Sequence, residues 1–220
     1  CFTKDTKVKL TDGRSLSFEE LTKEQAEGKK HWTLSFNHKT QEVEVAEIKK
    51  PRLTIQNAQL IELTLDSGEK IKCTPNHRFL LRSGNYKEAK DLKPDDSLMA
   101  GYFNLRQIKD GNHYLSLLQP LTRKFIFVHK LADQYNQRLN NVRTDITSFI
   151  LHHKNFNRFN NNPNNIQRLT FREHYIIHAR QGREVWENAT DQLREKHRRN
   201  IRLALSNPLT RKKLSEKSKK

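Results

Sequence analysis

Four of the chain's ten histidines fall in one stretch, HHKNFNRFNNNPNNIQRLTFREHYIIH, running from His152 to His178. His152 and His153 are adjacent, and His174 and His178 stand four apart. Side chains four apart on a helix project from one face, so the second pair can reach a single ion. A third nitrogen ligand from a neighbouring strand would close a three-histidine site and leave positions open for water or substrate. Taken one at a time, these residues read more readily as surface histidines in a polar loop; it is the whole set that points to a metal. Between the pairs lie an asparagine-rich turn containing Pro163 and a short apolar run, Ile166-Gln167-Arg168-Leu169. A second group could do acyl chemistry. A thiol at Cys1 can attack the carbonyl of a residue before it and turn an amide into a thioester. That reaction needs a proton for the scissile nitrogen and a hydroxyl to polarise the peptide, jobs suited to His77 and Thr74. Against that, an N-terminal cysteine can be a cut site, and Thr74-Pro75-Asn76 an ordinary turn.

The elements that must position these groups differ between the two halves. Over residues 1–100, short alternating runs are separated by turn signals, which predicts an all-β unit. Asp12-Gly13 sits between two such runs and predicts a hairpin. One helical turn is expected over 18–21 and a polar loop over 22–31. Strands are expected at 32–37, 42–48, 60–65, 70–73 and 78–81. Residues 101–120, with Gly111-Asn112, Pro120 and a short alternating piece at 114–118, read as a linker. Residues 121–128 read as a strand, and 129–140 as a helix with Leu131, Tyr135 and Leu139 on one face. A strand over 145–153 then delivers the histidine pair. His129 reads more readily as a core histidine than as a further ligand. Beyond His178, apolar residues at Trp186, Ala189, Leu193, Ile201, Ala204 and Leu205 recur near helical spacing, Asn207-Pro208 stops that helix, and Thr210 is a candidate cap for another.

Composition narrows the class. With 34% hydrophobic and 30% charged residues and a mean hydropathy of −0.94, the 220-residue chain has room for a modest core in one or two domains. No apolar run of about 18 residues or more occurs, so no transmembrane helix is expected, and no signal peptide opens the chain. Two cysteines make no disulfide framework, and a reducing cytoplasm is the expected setting. The net charge of +17 is unevenly placed: residues 1–100 carry 18 Lys and Arg against 16 Asp and Glu, residues 101–220 carry 24 against 9. The basic half holds the histidine cluster, which points to a polyanion as its partner. A solvated basic face is the plain alternative.

The stretch from Leu121 to His178 resembles the ββα-metal core of HNH endonucleases. In that core a His-His or Asp-His pair ends a strand, an Asn closes a Pro-x-Asn step, and a helix brings two further ligands. Pro163-Asn164-Asn165 supplies the step here, and Phe127-Val128-His129-Lys130-Leu131 resembles the strand-to-helix passage upstream. The resemblance implies one divalent ion, Mg2+ or Mn2+ with Zn2+ the alternative, held by His152, His174 and His178. It implies His153 as general base, oriented by Asn165, and hydrolysis of double-stranded DNA, expected as nicking by a monomer. Arg158, Arg168 and Arg172 around the core are expected to meet DNA. So are Arg194, Arg198, Arg199, Arg202, Arg211, Lys212 and Lys213 in a basic helical extension over 181–220.

The front of the chain resembles the intein and Hedgehog-type autoprocessing (Hint) domains. Cys1-Phe2-Thr3-Lys4-Asp5-Thr6-Lys7-Val8, with Asp12-Gly13 after it, is similar to their opening motif. Cys73-Thr74-Pro75-Asn76-His77-Arg78-Phe79 is similar to the second, and Asp91-Leu92-Lys93-Pro94-Asp95-Asp96 to its sequel. The resemblance implies a mainly β, horseshoe-like domain over 1–100, followed by the α+β nuclease core over 121–180. It implies Cys1 as nucleophile with Thr74 and His77 activating the scissile peptide, while Cys73 packs in a strand. A preceding segment is expected in the precursor, either still present or trimmed away, since no initiator Met opens the chain. The last residues, Lys217-Ser218-Lys219-Lys220, lack the His-Asn that ends inteins, so splicing within this chain alone is not expected: either a C-terminal intein fragment is its partner, or it only cleaves at its own N-terminus. The leading reading is an intein bearing a homing endonuclease. The others are a free nuclease with an inert β-rich adaptor, and a DNA-binding protein with a structural metal.

Overall fold

A computed structural model describes residues 1–108 and 111–217, with the side chains of residues 213–215 and 217 outside that description. The chain divides into two compact units, Cys1–Arg168 and Leu169–Lys220.

The first unit is built mainly of short antiparallel hairpins. β1 (Lys7–Lys9) pairs with β2 (Ser15–Ser17), Val8 opposite Leu16. Between them Gly13 takes φ +93°, a conformation that costs glycine little and other residues much. The helix α1 (Phe18–Ala26) is longer than the single turn expected, and it takes up half of the predicted polar loop. Its cause is a capping box: Ser17 accepts from the Glu20 N–H, and the Glu20 carboxylate accepts from the Ser17 N–H. Leu21, fully buried, anchors it. β3 (Trp32–Asn37) pairs with β4 (Glu42–Glu47), β5 (Ile61–Thr64) with β6 (Lys70–Cys73), and β7 (Arg78–Leu80) with β8 (Tyr86–Glu88).

Residues 101–120 are more than a connection. They carry β9 (Phe103–Gln107) and β10 (His113–Leu118), which join β11 (Phe125–Phe127) in a sheet of order β11-β10-β9. Ser116 and Leu117 of the central strand are buried, and the Ser116 hydroxyl donates to the Asn104 carbonyl at 2.9 Å. The reason a linker did not form is the core itself. Leu117 packs with Trp32 and Val45 from the front and with Val128, Leu131, Ala132 and Ile166 from the back. One hydrophobic cluster thus draws on both sides of residues 101–120.

The helix α2 (Val128–Arg138) turns Val128, Leu131 and Ala132 into that cluster. Leu139, expected on the same face, lies just past the helix end and is 60% exposed. The predicted strand over 145–153 is shorter, β12 (Ile150–His153), and β11 covers only the last part of the predicted 121–128 strand. β12 pairs with β13 (Ile166–Leu169), which follows a 3-10 turn at Pro163–Asn165.

The second unit is helical: α3 (Phe171–Glu187), α4 (Asp191–Ser206) and α5 (Pro208–Lys217). Thr170 and Glu173 form a capping box at the start of α3, and Thr190 caps α4. At α5 the expected cap, Thr210, lies inside the helix. The Asn207 side chain accepts from the Leu209 N–H at 2.9 Å instead, with Pro208 opening the helix. Neither α3 nor α4 has a buried residue. Among the described residues no helix is long and apolar enough to cross a membrane.

Candidate functional site

The strand β6 ends at Cys73, and the residues after it lie against the start of the chain. Phe2 bridges Cys73 in antiparallel fashion, and the Thr74 N–H donates to the Cys1 carbonyl at 2.8 Å. The amino nitrogen of Cys1 donates to Thr74 Oγ1 through a short hydrogen bond. The next turn is closed by the His77 N–H donating to the Thr74 carbonyl at 2.9 Å. It lays the His77 ring on Phe2, 4.1 Å between centroids, with Phe79 at 5.0 Å. Cys1, Thr74 and His77 are therefore brought together by backbone pairing that starts at the chain's first residues. Burial, and then the positive charge of the amino terminus, hold His77 below the usual imidazole range, so its ring is neutral near pH 7. Cys73 is fully buried, and burial pushes its thiol up, which makes it a packing residue and a poor nucleophile. Thr54, which no motif marks, places Oγ1 3.2 Å from Cys1 Sγ.

The second group starts where β12 delivers His152 and His153 into the interior, 3% and 5% exposed. Asn165 does not orient His153. Its amide nitrogen donates to Asn155 Oδ1 at 2.9 Å and to the Asn160 carbonyl at 2.7 Å, and its Oδ1 accepts from the Asn155 N–H. Those bonds close the 154–160 loop. The partner of His153 is Asn161, with Oδ1 3.1 Å from Nε2. Burial holds His153 below the usual imidazole range; the Asn161 hydrogen bond opposes this and the Arg158 charge adds to it. His129 is a packed histidine among rings: Phe127 stacks on it at 5.4 Å, Tyr114 lies at 5.3 Å and His153 at 5.6 Å. Burial first, then the charges of His153 and Lys130, push it down to about 4.

In the second unit, His174 and His178 lie one turn apart on α3 with ring centroids 4.5 Å apart. Burial and the neighbouring His178 hold His174 below its ordinary value. Two imidazoles so close present two ligand nitrogens to one ion.

The basic residues divide. Arg168, expected on DNA, makes a two-pronged ion pair with Asp133 instead, at 2.8 and 2.7 Å, and lies over the Phe149 ring at 4.3 Å. Both charged side chains are about nine-tenths buried, so this arginine holds β13 to α2. Asp133→Ala should cost about 3 kcal/mol, because it leaves a buried guanidinium unpaired. The denaturation midpoint of the full chain measures it. Arg194 donates to the Trp186 and Glu187 carbonyls and so closes the end of α3. Arg158 is half-buried over Tyr114, and Arg198 pairs with Glu195 at 3.0 Å. Arg172, Arg199, Arg202, Arg211 and Lys212 are exposed. The side chain of Lys213 lies outside the described residues.

Comparison with known proteins bears on the front of the chain and well beyond it. Residues 8–203 match the model of the intein splicing domain. A DNA gyrase subunit of Synechocystis sp. (strain ATCC 27184 / PCC 6803 / Kazusa) is 40% identical over 184 residues, 82% of this chain and 17% of that protein. The replication factor C small subunit of Methanocaldococcus jannaschii is 34% identical over 99 residues, 45% of this chain and 5% of that protein. The chain spans only a small part of the length of these relatives. With the family model matched over most of its residues, the chain belongs to the intein splicing domain family, with a splicing-type function.

Proposed function

We propose that the chain couples two chemistries, acyl transfer at Cys1 and metal-dependent nicking of double-stranded DNA by an HNH-type centre. In the first, Cys1 Sγ attacks the carbonyl carbon of a preceding residue, and the carbon–nitrogen bond to Cys1 breaks. A thioester forms and the Cys1 nitrogen leaves as an amine. Thr74 Oγ1, hydrogen-bonded to that nitrogen, polarises it. His77, neutral on the ring of Phe2, takes the proton of the Cys1 thiol and, once charged, passes it to the leaving nitrogen. A C-terminal intein segment is the partner that would complete splicing.

One observation carries the nuclease reading: His174 and His178 stand one turn apart on α3 with ring centroids 4.5 Å apart, placed to share one ion, with His152 the third ligand that the resemblance implies. Three imidazole ligands suit a single divalent ion. The all-nitrogen donor set suits Zn2+, while Mg2+ or Mn2+ would draw its remaining ligands from water and phosphate. A bound ion supplies Lewis acidity at the scissile phosphate and stabilises charge on the departing 3′ oxygen. His152, His174 and His178 hold it. His153, neutral through burial, takes the proton of the attacking water. Arg172, Arg199, Arg202, Arg211 and Lys212 contact phosphates and supply affinity that falls steeply with salt. A single such centre attacks one strand, so a monomer nicks. The test is calorimetric titration of the full chain with Zn2+ and Mn2+. One ion per chain is expected, with affinity lowered at least about 10-fold in His178→Ala; unchanged affinity in that variant would remove the three-histidine site.

A further inference from the structure

We propose that Asn161, held in place by Thr11, is a positioning residue that fixes His153 as its Nε2–H tautomer and leaves Nδ1 to accept the proton. This deepens the nuclease reading and rests on it. The Asn161 amide nitrogen donates to the Phe159 carbonyl at 3.2 Å, which orients the carboxamide and turns its oxygen toward His153. A carboxamide oxygen only accepts, so the ring nitrogen 3.1 Å away, Nε2, must carry the hydrogen. A neutral imidazole with Nε2–H has its lone pair on Nδ1. When Nδ1 takes a proton from water, Nε2–H stays bonded to Asn161, so the same contact serves both charge states. Asn161 is 1% exposed, so its carboxamide is packed in place.

Asn161 is itself held from the front of the chain. Its N–H donates to the Thr11 carbonyl at 2.8 Å, and the Thr11 hydroxyl lies 2.6 Å from Asn162 Oδ1. Thr11 is 2% exposed, and its own N–H donates to the Trp32 carbonyl at 2.9 Å, which ties it to β3. The turn between β1 and β2, next to the residues that resemble the opening splicing motif, thus buttresses the loop that aims the general base. The splicing half is in this way a structural part of the nuclease centre.

The experiment labels the histidines of the full chain with 15N and assigns the neutral His153 ring by long-range proton–nitrogen correlation, with plasmid nicking measured alongside. The wild type should show His153 as Nε2–H. Asn161→Ala should mix the tautomers and lower kcat about 100-fold, with KM for DNA and metal stoichiometry unchanged. Asn161→Asp, which keeps an acceptor facing Nε2, should retain the single tautomer. Should Asn161→Ala not fold, Thr11→Val serves: it removes the 2.6 Å contact and should lower kcat several-fold, with Thr11→Ser restoring it. A wild-type Nδ1–H ring, or an unchanged tautomer in Asn161→Ala, overturns the proposal. A wild type with the expected tautomer that never nicks would overturn the nuclease reading instead, with the hydrogen-bond assignment left standing.

Discussion

His153→Ala should lower metal-dependent nicking of supercoiled plasmid by about 100- to 10,000-fold, the range that a positioned general base contributes. DNA affinity and metal stoichiometry should not change, because His153 is neither an exposed cation nor one of the three proposed ligands. Its ring is 5% exposed, and burial holds it neutral near pH 7, so it takes up a proton there without first having to lose one. The adjacent side chain, His152, points from the same short strand and is as deeply buried. That adjacency makes the pair of alanine variants informative. His152→Ala should lower metal affinity together with rate, whereas His153→Ala should spare metal binding. A plasmid assay combined with metal titration measures both. Equal loss of metal in the two variants would contradict the division of roles.

Cys1→Ala should abolish thiol-induced release of a short peptide fused before position 1, since alanine has no nucleophile to form the thioester. His77→Ala should slow release by about 100- to 10,000-fold, because the leaving nitrogen would lack its proton donor. Thr74→Val should slow it less, as it removes one short hydrogen bond to that nitrogen and keeps the shape of the buried side chain. Release is followed by mass spectrometry after adding a small thiol. Release from Cys1→Ala at the wild-type rate would show that hydrolysis elsewhere, and not an acyl shift to sulfur, frees the peptide. The two experiments are independent, because one reads bonds at the chain's first residue and the other reads DNA.

The residues proposed to bear chemistry stand out in the sequence because part of each group is local. Thr74 and His77 sit three apart after a strand, and His174 and His178 share a helix turn. Cys1 is far from Thr74 in sequence, and it is the motif resemblance that pairs them. What stays hidden depends on partners far along the chain or on choices among identical residues. Asn161 and Asn165 lie in the same asparagine-rich turn, and only the fold shows that Asn161 faces His153 while Asn165 closes the loop. Arg168 looks like any surface arginine of a basic half until Asp133, 35 residues earlier, takes both prongs of its guanidinium. Residues 101–120 carry breakers, but Leu117 alternates into a core whose other walls come from Trp32 on β3 and from Leu131 and Ala132 on α2. The helix α1 is announced by Ser17-x-x-Glu20, a capping signal that a polar composition over 22–31 obscures. Thr54 lies in a segment without a regular element, and its place beside Cys1 Sγ is a product of tertiary structure alone.

The most direct measurement is plasmid nicking by the full chain with divalent ion and with chelator, at protein in excess over DNA. Conversion of supercoiled to open-circle plasmid with the ion, none with chelator and none from His153→Ala, is the expected result. Supercoiled plasmid left intact by a chain saturated with ion and bound to DNA would contradict it, reducing the three histidines to a structural metal site within a splicing domain.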